Sequence, residues 1–246
     1  MWTRGLLKAN AKQMFQRNYW ECVVVSLLVG LLAAGSGGSS FSFNYNYNQD
    51  TYGQEMGGAS HTFGISQEGL LAMIAGIVVI AAVIAIAAVL LSIFVGNVLL
   101  IGGCNFYIRN RTEKPGIGAI LFGFKSGHYG NIVLTLFLKD LFVGLWSLLF
   151  VIPGIVKSYE YMMVPYILAE NPGMERKEAF AISRRMMDGQ KWDAFVLDLS
   201  FLGWEILGIF TCGILSIFYV APYVHATHTE LYIFNKIKAY NEGYIR

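Results

Sequence analysis

Four ionisable residues lie inside long apolar stretches of the sequence, where they could act on an ion or a proton. Lys139 and Asp140 are adjacent in the stretch LFLKDLFV, and Asp198 and Glu205 lie seven residues apart in LDLSFLGWEIL. That spacing places the two carboxyl groups on one face of a continuous helix. Ionisable side chains in membrane helices usually face a bundle interior or a wet cavity, so one interpretation of these four residues is a cation or proton path.

The alternative interpretation is structural and is the one we favour. The same residues could form ion pairs between helices, or Lys139 could extend its ammonium group towards the membrane surface. Adjacent residues on a helix do not face each other, so Lys139 and Asp140 are each expected to find a partner elsewhere. Lys139 is then the nearest candidate partner for Asp198 or Glu205.

The composition indicates that these residues belong to a membrane protein. Hydrophobic residues make up 55% of the 246 residues and charged residues 14%, and the mean hydropathy is +0.51. A helix needs about 20 apolar residues to cross a bilayer. The sequence predicts an all-α, polytopic protein with about six transmembrane helices, and the fourth and sixth, which contain Pro165 and Pro222, should be kinked, tilted or partly re-entrant. The six apolar runs are 19–34, 70–107, 132–152, 155–169, 194–211 and 213–226.

A weak internal repeat organises these runs. Asp140 precedes Trp146 by six residues and Asp198 precedes Trp204 by six, with an offset of 58 between the two pairs. An amphipathic segment precedes each hairpin, as in the apolar spacing of the first 17 residues. The sequence therefore predicts a single transmembrane domain over 1–246, with repeat units at about 3–107, 115–170 and 174–235 and an extracytoplasmic loop at about 35–69.

The basic residues predict the orientation of the chain. Sixteen of the 18 Lys and Arg residues lie in four segments: the two termini and the segments near Arg111 and Arg185. The loop at 35–69 has none. The positive-inside rule places both termini and the two basic segments in the cytoplasm of a multi-pass cell-membrane protein. The basic amphipathic helices are expected to bind anionic lipids of the cytoplasmic leaflet, with their apolar faces contributing.

Catalytic chemistry is not expected. The sequence contains no HExxH, Walker A, GxSxG or GxGxxG pattern, and its three cysteines are dispersed. His225 and His228 share a helical face, but a pair of this kind at a helix end is more often interfacial than metal-binding. We predict a non-enzymatic protein with no cofactor, no metal, no catalytic residue and no nucleic-acid partner.

Several segments resemble a known family. They are RGLLKANAKQMFQRNYW, VGNVLLIGGCNFYIRNRTEKPGIGAILFGFKSGHYGNIVLTLFL, GLWSLLFVIPGIVKSYEYMMVPYILAENPG, EAFAISRRMMDGQKWDAFVLDLSFLGW and APYVHATHTELY. These are similar to the bacterial integral membrane proteins grouped as domain of unknown function 975, across nearly the whole chain except about 36–67. The resemblance implies a six-helix bacterial inner-membrane protein and implies no activity. The role we expect is assembly or interaction, with lipid, a second copy or another membrane protein as partner; the alternative is a transporter or channel that uses the acidic residues.

Overall fold

The regular structure of the protein is helical. The computed structural model describes residues 2–33 and 67–245, and within these ranges every regular element is a helix. The all-α prediction is therefore confirmed for the described chain. Most of the predicted loop at 35–69 lies outside the described residues, and its last three residues already belong to a helix.

Twelve α-helices make up the described chain. Residues 92–96 and 216–220 form π-helical turns and residues 117–121 a 3₁₀ turn. The α-helices are α1 Arg4–Arg17, α2 Tyr19–Ala33, α3 Gln67–Leu91, α4 Asn97–Asn110, α5 Phe122–Lys125, α6 Tyr129–Leu149, α7 Val151–Glu160, α8 Val164–Glu170, α9 Arg176–Met186, α10 Lys191–Leu199, α11 Leu202–Phe210 and α12 Ala221–Asn241.

Two helical stretches are long and apolar enough to cross a membrane, Leu71–Asn110 and Tyr129–Leu149. Of the described residues, 67–90 form one compact unit, and 2–33 together with 91–245 form another. The first unit is α3, whose large apolar side chains are about half exposed or more along its length. A helix of 25 residues is about 37 Å long, which exceeds the hydrocarbon thickness of a bilayer.

The core of the larger unit is built around α4. Almost every residue from Asn97 to Tyr107 is buried, with α2, α6, α8 and α12 packed around this helix. Gly102 is required here, because a Cβ at this position would overlap the backbone of Ile120 in the 3₁₀ turn. α4 is therefore internal from Asn97 to Tyr107, whereas Arg109 near its end is exposed.

Two of the predicted amphipathic segments are regular helices that pack onto the core. α1 lies against α12, and α9 lies against α8 and α12. Their predicted apolar faces, which include Leu7 and Ala11 on α1 and Ala179 and Ile182 on α9, are buried in the protein. The expectation that these faces bind lipid is therefore wrong for both helices. Only their outer, basic faces remain open.

Two helical hairpins have tight apices with closely packed arms. Between α6 and α7, a Cβ on Gly154 would lie 2.7 Å from the Cα of Ser147. The apex after α11 uses left-handed backbone at Cys212 (φ 51°) and Gly213 (φ 82°). The kink expected near Pro165 is present, because α7 ends at Glu160 and α8 begins with this proline in its first turn.

Candidate functional site

Of the acids singled out in the sequence, Asp198 on α10 is the one most completely engaged by other side chains. Its Oδ1 lies 2.6 Å from Nε2 of His228 on α12, and its Oδ2 accepts a 2.8 Å hydrogen bond from the hydroxyl of Tyr159 on α7. His228 is fully buried. The carboxylate thus ties three helices together. The expected pairing of Lys139 with Asp198 is wrong, since the basic partner is a histidine 30 residues further along the chain.

Lys139 is buried on the face of α6 that packs into the core, with only 4% of the residue exposed. Its Nζ lies 3.1 Å from Oδ1 of Asp140, the adjacent residue. The expectation that each needs a partner elsewhere is therefore wrong. A lysine side chain is long and flexible enough to curl back to its neighbour, so the helical separation of the two Cα positions does not prevent the contact.

Glu205 differs from Asp198 in its environment. It is partly exposed on α11, and no ion pair or side-chain hydrogen bond engages its carboxylate within the described residues. The two residues do not lie on one continuous helix, as the spacing argument assumed, because α10 ends at Leu199 and α11 begins at Leu202. Lys8 of α1 donates a 3.3 Å hydrogen bond to the Ser200 carbonyl that this break frees. Asp198 and Glu205 therefore lie on separate helices and differ in their partners.

The largest ionic cluster among the described residues was not predicted from the sequence. Glu160, at the end of α7, is buried, and its carboxylate lies 2.8 Å from Nζ of Lys157, 2.8 Å from Nε of Arg184 and 2.9 Å from Nζ of Lys191. Ser183 also donates a 2.8 Å hydrogen bond to the Glu160 carbonyl. We call Glu160, Lys157, Arg184 and Lys191 the Glu160 cluster. The i, i+3 spacing of Lys157 and Glu160 was the one local signal for it.

Two further acids anchor α12 to the rest of the chain. Glu170 accepts a 2.7 Å hydrogen bond from the hydroxyl of Tyr232 and pairs with Lys236 at 2.6 Å. Burial, together with the nearby Glu170 carboxylate, raises the pKa of Tyr232, so this hydroxyl stays a donor. Glu230 pairs with Arg111 at 3.1 Å. Acidic residues are thus used repeatedly to join helices.

The four predicted residues line none of three cavities in the larger unit. A cavity with room for about one water molecule lies beside Cys104, Tyr107 and His225. A second, of about 570 Å³, lies beside Trp2 and Gln190, and a third, of about 540 Å³, is lined in part by His128, Asn171 and Glu178. Within residues 2–33 and 67–245, no three His, Cys, Asp or Glu residues are grouped so that they could hold a metal ion.

Comparison with known proteins gives a family match to part of the chain and no activity. Residues 148–240 match the family described as "Protein of unknown function (DUF975)". A segment of 91 residues is 33% identical to a "UPF0259 membrane protein" of Serratia proteamaculans (strain 568), covering 37% of this chain and 35% of that protein. The chain thus matches about a third of the length of this curated relative. No solved structure matches.

These matches confirm the family resemblance for residues 148–240, a shorter region than the quoted segments predicted. The matched region contains Glu160, Asp198 and Glu205. Lys139 and Asp140 lie before it. The matched region therefore includes α7, α9, α10 and most of α12, the helices that meet through the Glu160 cluster and Asp198.

Proposed function

We propose that the chain is a multi-pass bacterial cell-membrane protein without enzymatic activity, and that it acts by assembly or by interaction with lipid and protein partners. The wording "membrane protein" in the name of the Serratia relative supports the location. So does α3, because an apolar helix exposed along its length is stable only in lipid or against another helix. A uniformly apolar surface of this kind would aggregate in water.

The proposed orientation has both termini in the cytoplasm. Each of three units enters the membrane from the cytoplasmic face, after a basic segment, and returns to it. The basic segments near Arg111 and Arg185 fit this arrangement, because Arg111 pairs with Glu230 of α12 and Arg185 lies over the ring of Tyr244 just after α12. The predicted number of six crossings assumes in addition that every hairpin reaches the far face.

The pairing of the acids is the observation that favours assembly over transport. A transport path needs acids that line a connected, wet cavity, whereas a structural role needs them paired. Asp198 is bonded to His228 and Tyr159, and Asp140 lies against Lys139. Removing one partner of a buried pair is costly. The alternative, a transporter or channel, would leave Glu205 as the one acid of the predicted stripe without such a partner among the described residues.

The outer faces of α1 and α9 are the proposed lipid contacts. Arg184 keeps 60% of its side chain exposed although its Nε is bound to Glu160, and Arg185 next to it is also exposed. Basic residues near an anionic leaflet contribute about 1 kcal/mol each. With their apolar faces buried in the protein, these helices would bind lipid headgroups through charge.

Native mass spectrometry of the protein extracted with its own lipids tests this proposal. The expected result is bound anionic phospholipid, with less of it retained when Arg185 is changed to Gln. The matched control is Lys125→Gln, which removes a charge from another basic segment. A protein that carries no lipid and no partner, or that loses lipid equally in both variants, would contradict the role proposed for the face of α9.

A further inference from the structure

The apices of the two hairpins carry no charge and are the most exposed apolar surfaces of the larger unit. Phe150 is 72% and Ile152 75% exposed at the apex between α6 and α7. Ile209 is 76% and Phe210 81% exposed at the apex after α11. Side chains of this kind need lipid around them. The relevant question is how deeply each apex can reach into a bilayer.

Polar contacts on α7 limit the depth of the first hairpin. α7 has 10 residues from Val151 at the apex to Glu160, which corresponds to about 15 Å. The Glu160 cluster lies at that level, and the carboxylate side chain adds at most about 5 Å. On the other arm, Lys139 and the buried residues before it pack into the core, so only Asp140–Leu149, also about 15 Å, extends beyond it.

The second hairpin gives the same depth from independent contacts. α11 has nine residues, about 14 Å, between the apex and Phe201, and the ammonium of Lys8 lies 4.0 Å from the centre of the Phe201 ring. Tyr223, on the returning arm, donates a 3.2 Å hydrogen bond to the carbonyl of Lys8. The polar helix α1 therefore crosses both arms of this hairpin about 14–18 Å from its apex.

We propose that both hairpins are re-entrant: they enter the cytoplasmic leaflet, turn near the middle of the bilayer and return. The acyl chains of that one leaflet then surround the apolar side chains of both apices. The hydrocarbon core is about 30 Å thick, and one leaflet contributes about 15 Å, which matches the apolar depth of both hairpins. This inference rests on the proposed membrane location, and it removes four of the six predicted crossings.

The charge positions explain why the first hairpin does not span the bilayer. If the first apex reached the outer surface, the Glu160 cluster would lie near the bilayer midplane, with 60% of the Arg184 side chain exposed there. A charged side chain at that depth is costly and is normally shielded by protein or water. At half depth, the same arginine and the exposed Trp192 lie among the headgroups, where Arg and Trp are favoured.

The backbone at the apices is compatible with this depth. In the first apex, the amide of Phe150 donates to the Trp146 carbonyl, and the amide of Gly154 donates to the Phe150 carbonyl. In the second, the amide of Gly213 donates to the Gly208 carbonyl. Such hydrogen bonds reduce the number of polar groups that a re-entrant turn would leave unsatisfied in hydrocarbon.

Depth-dependent fluorescence quenching tests the proposal on the full-length protein. Cys212 is exposed at the second apex, and Cys22 and Cys104 are buried, so a maleimide fluorophore can be attached to Cys212 in the parent protein. Cys212→Ser reports background labelling. The labelled protein is reconstituted into phosphatidylglycerol–phosphatidylcholine bilayers whose lipids carry a nitroxide either on the headgroup or near the end of an acyl chain.

We expect the acyl-chain nitroxide to quench the Cys212 label more than the headgroup nitroxide by roughly twofold or more, because about 15 Å separates the bilayer centre from the headgroups. Ile152→Cys in the Cys212→Ser background should behave in the same way at the first apex. Trp192→Cys in that background should show the opposite ratio.

Stronger headgroup quenching at both apices would overturn the proposal and indicate spanning hairpins. If the acyl-chain nitroxide quenches one apex more strongly and the headgroup nitroxide quenches the other, the proposal is overturned for the hairpin whose apex is quenched from the headgroup. If neither nitroxide quenches any label, the protein is not embedded in the bilayer, and the proposed membrane location fails together with the half-depth hairpins.

Discussion

Replacing Asp198 by Asn should destabilise the protein, because the substitution keeps the shape of the side chain and removes its charge. Hydrogen bonds to charged groups contribute about 1.5–3 kcal/mol each. Asp198 accepts one from Tyr159 at 2.8 Å and contacts the buried His228 at 2.6 Å. An amide has only one oxygen to accept with, so one contact is lost and the other weakened. We expect a loss of about 2–4 kcal/mol in the free energy of unfolding.

The assay is thermal unfolding in mild detergent, with Glu205→Gln as the matched control. For a chain of this size, 1 kcal/mol corresponds to about 2–4 °C in Tm, so Asp198→Asn should lower Tm by about 5–15 °C. Glu205 has no such partner within the described residues, and its neutral variant should change stability by no more than about 0.5 kcal/mol. Equal shifts in the two variants would refute the assignment of Asp198 as the structural acid.

A double-mutant cycle with Tyr159→Phe isolates the contact itself. Residues that share a hydrogen bond show coupling of about 0.5–3 kcal/mol. The double variant Tyr159→Phe, Asp198→Asn should therefore lose less stability than the sum of the single variants. Strict additivity would show that the hydroxyl and the carboxylate act independently, against the observed 2.8 Å hydrogen bond.

Three further predictions concern other parts of the fold. Asp140→Asn leaves the buried ammonium of Lys139 unpaired and should lower Tm, and adding Lys139→Met should restore part of the loss; no restoration would contradict the 3.1 Å pair. Gly154→Ala should lower the free energy of unfolding by about 1–3 kcal/mol, because the added methyl group overpacks the first apex. Gly144→Ala, where a Cβ has no neighbour within 4 Å, should leave the free energy of unfolding unchanged or raise it by up to about 1 kcal/mol. Similar values for the two variants would count against the close approach of Gly154 to Ser147. Arg185→Glu should increase hydrogen exchange across α9 more in anionic than in neutral bilayers, and equal increases would argue against a headgroup contact.

The sequence predicted those features of the fold that are local and periodic. The apolar faces of α1 and α9 were visible because residues such as Ala11 and Ala179 recur at helical spacing, and the length of α6 followed from its apolar run. The sequence did not show whether these faces contact lipid or the rest of the protein. Periodicity shows that a face is apolar, but only packing shows whether protein or lipid covers it.

The features that the sequence did not predict depend on tertiary contacts. The break at Ser200 contains no proline or glycine, so the separation of Asp198 from Glu205 had no local signal. Glu160 attracts two of its three basic partners from segments more than 20 residues away. The pairing of Lys139 with its own neighbour depends on a side-chain rotamer, which residue spacing does not determine.

We propose that Asp198 and Glu160 hold helices together and that no acid of the chain conducts an ion or a proton. The most direct test is ion and proton flux into proteoliposomes that contain the parent protein, driven by an imposed gradient. The account predicts the same flux as in protein-free liposomes, together with the lowered Tm of Asp198→Asn. Flux above that background, abolished by Asp198→Asn without a loss of stability, would contradict the account and support a transport path.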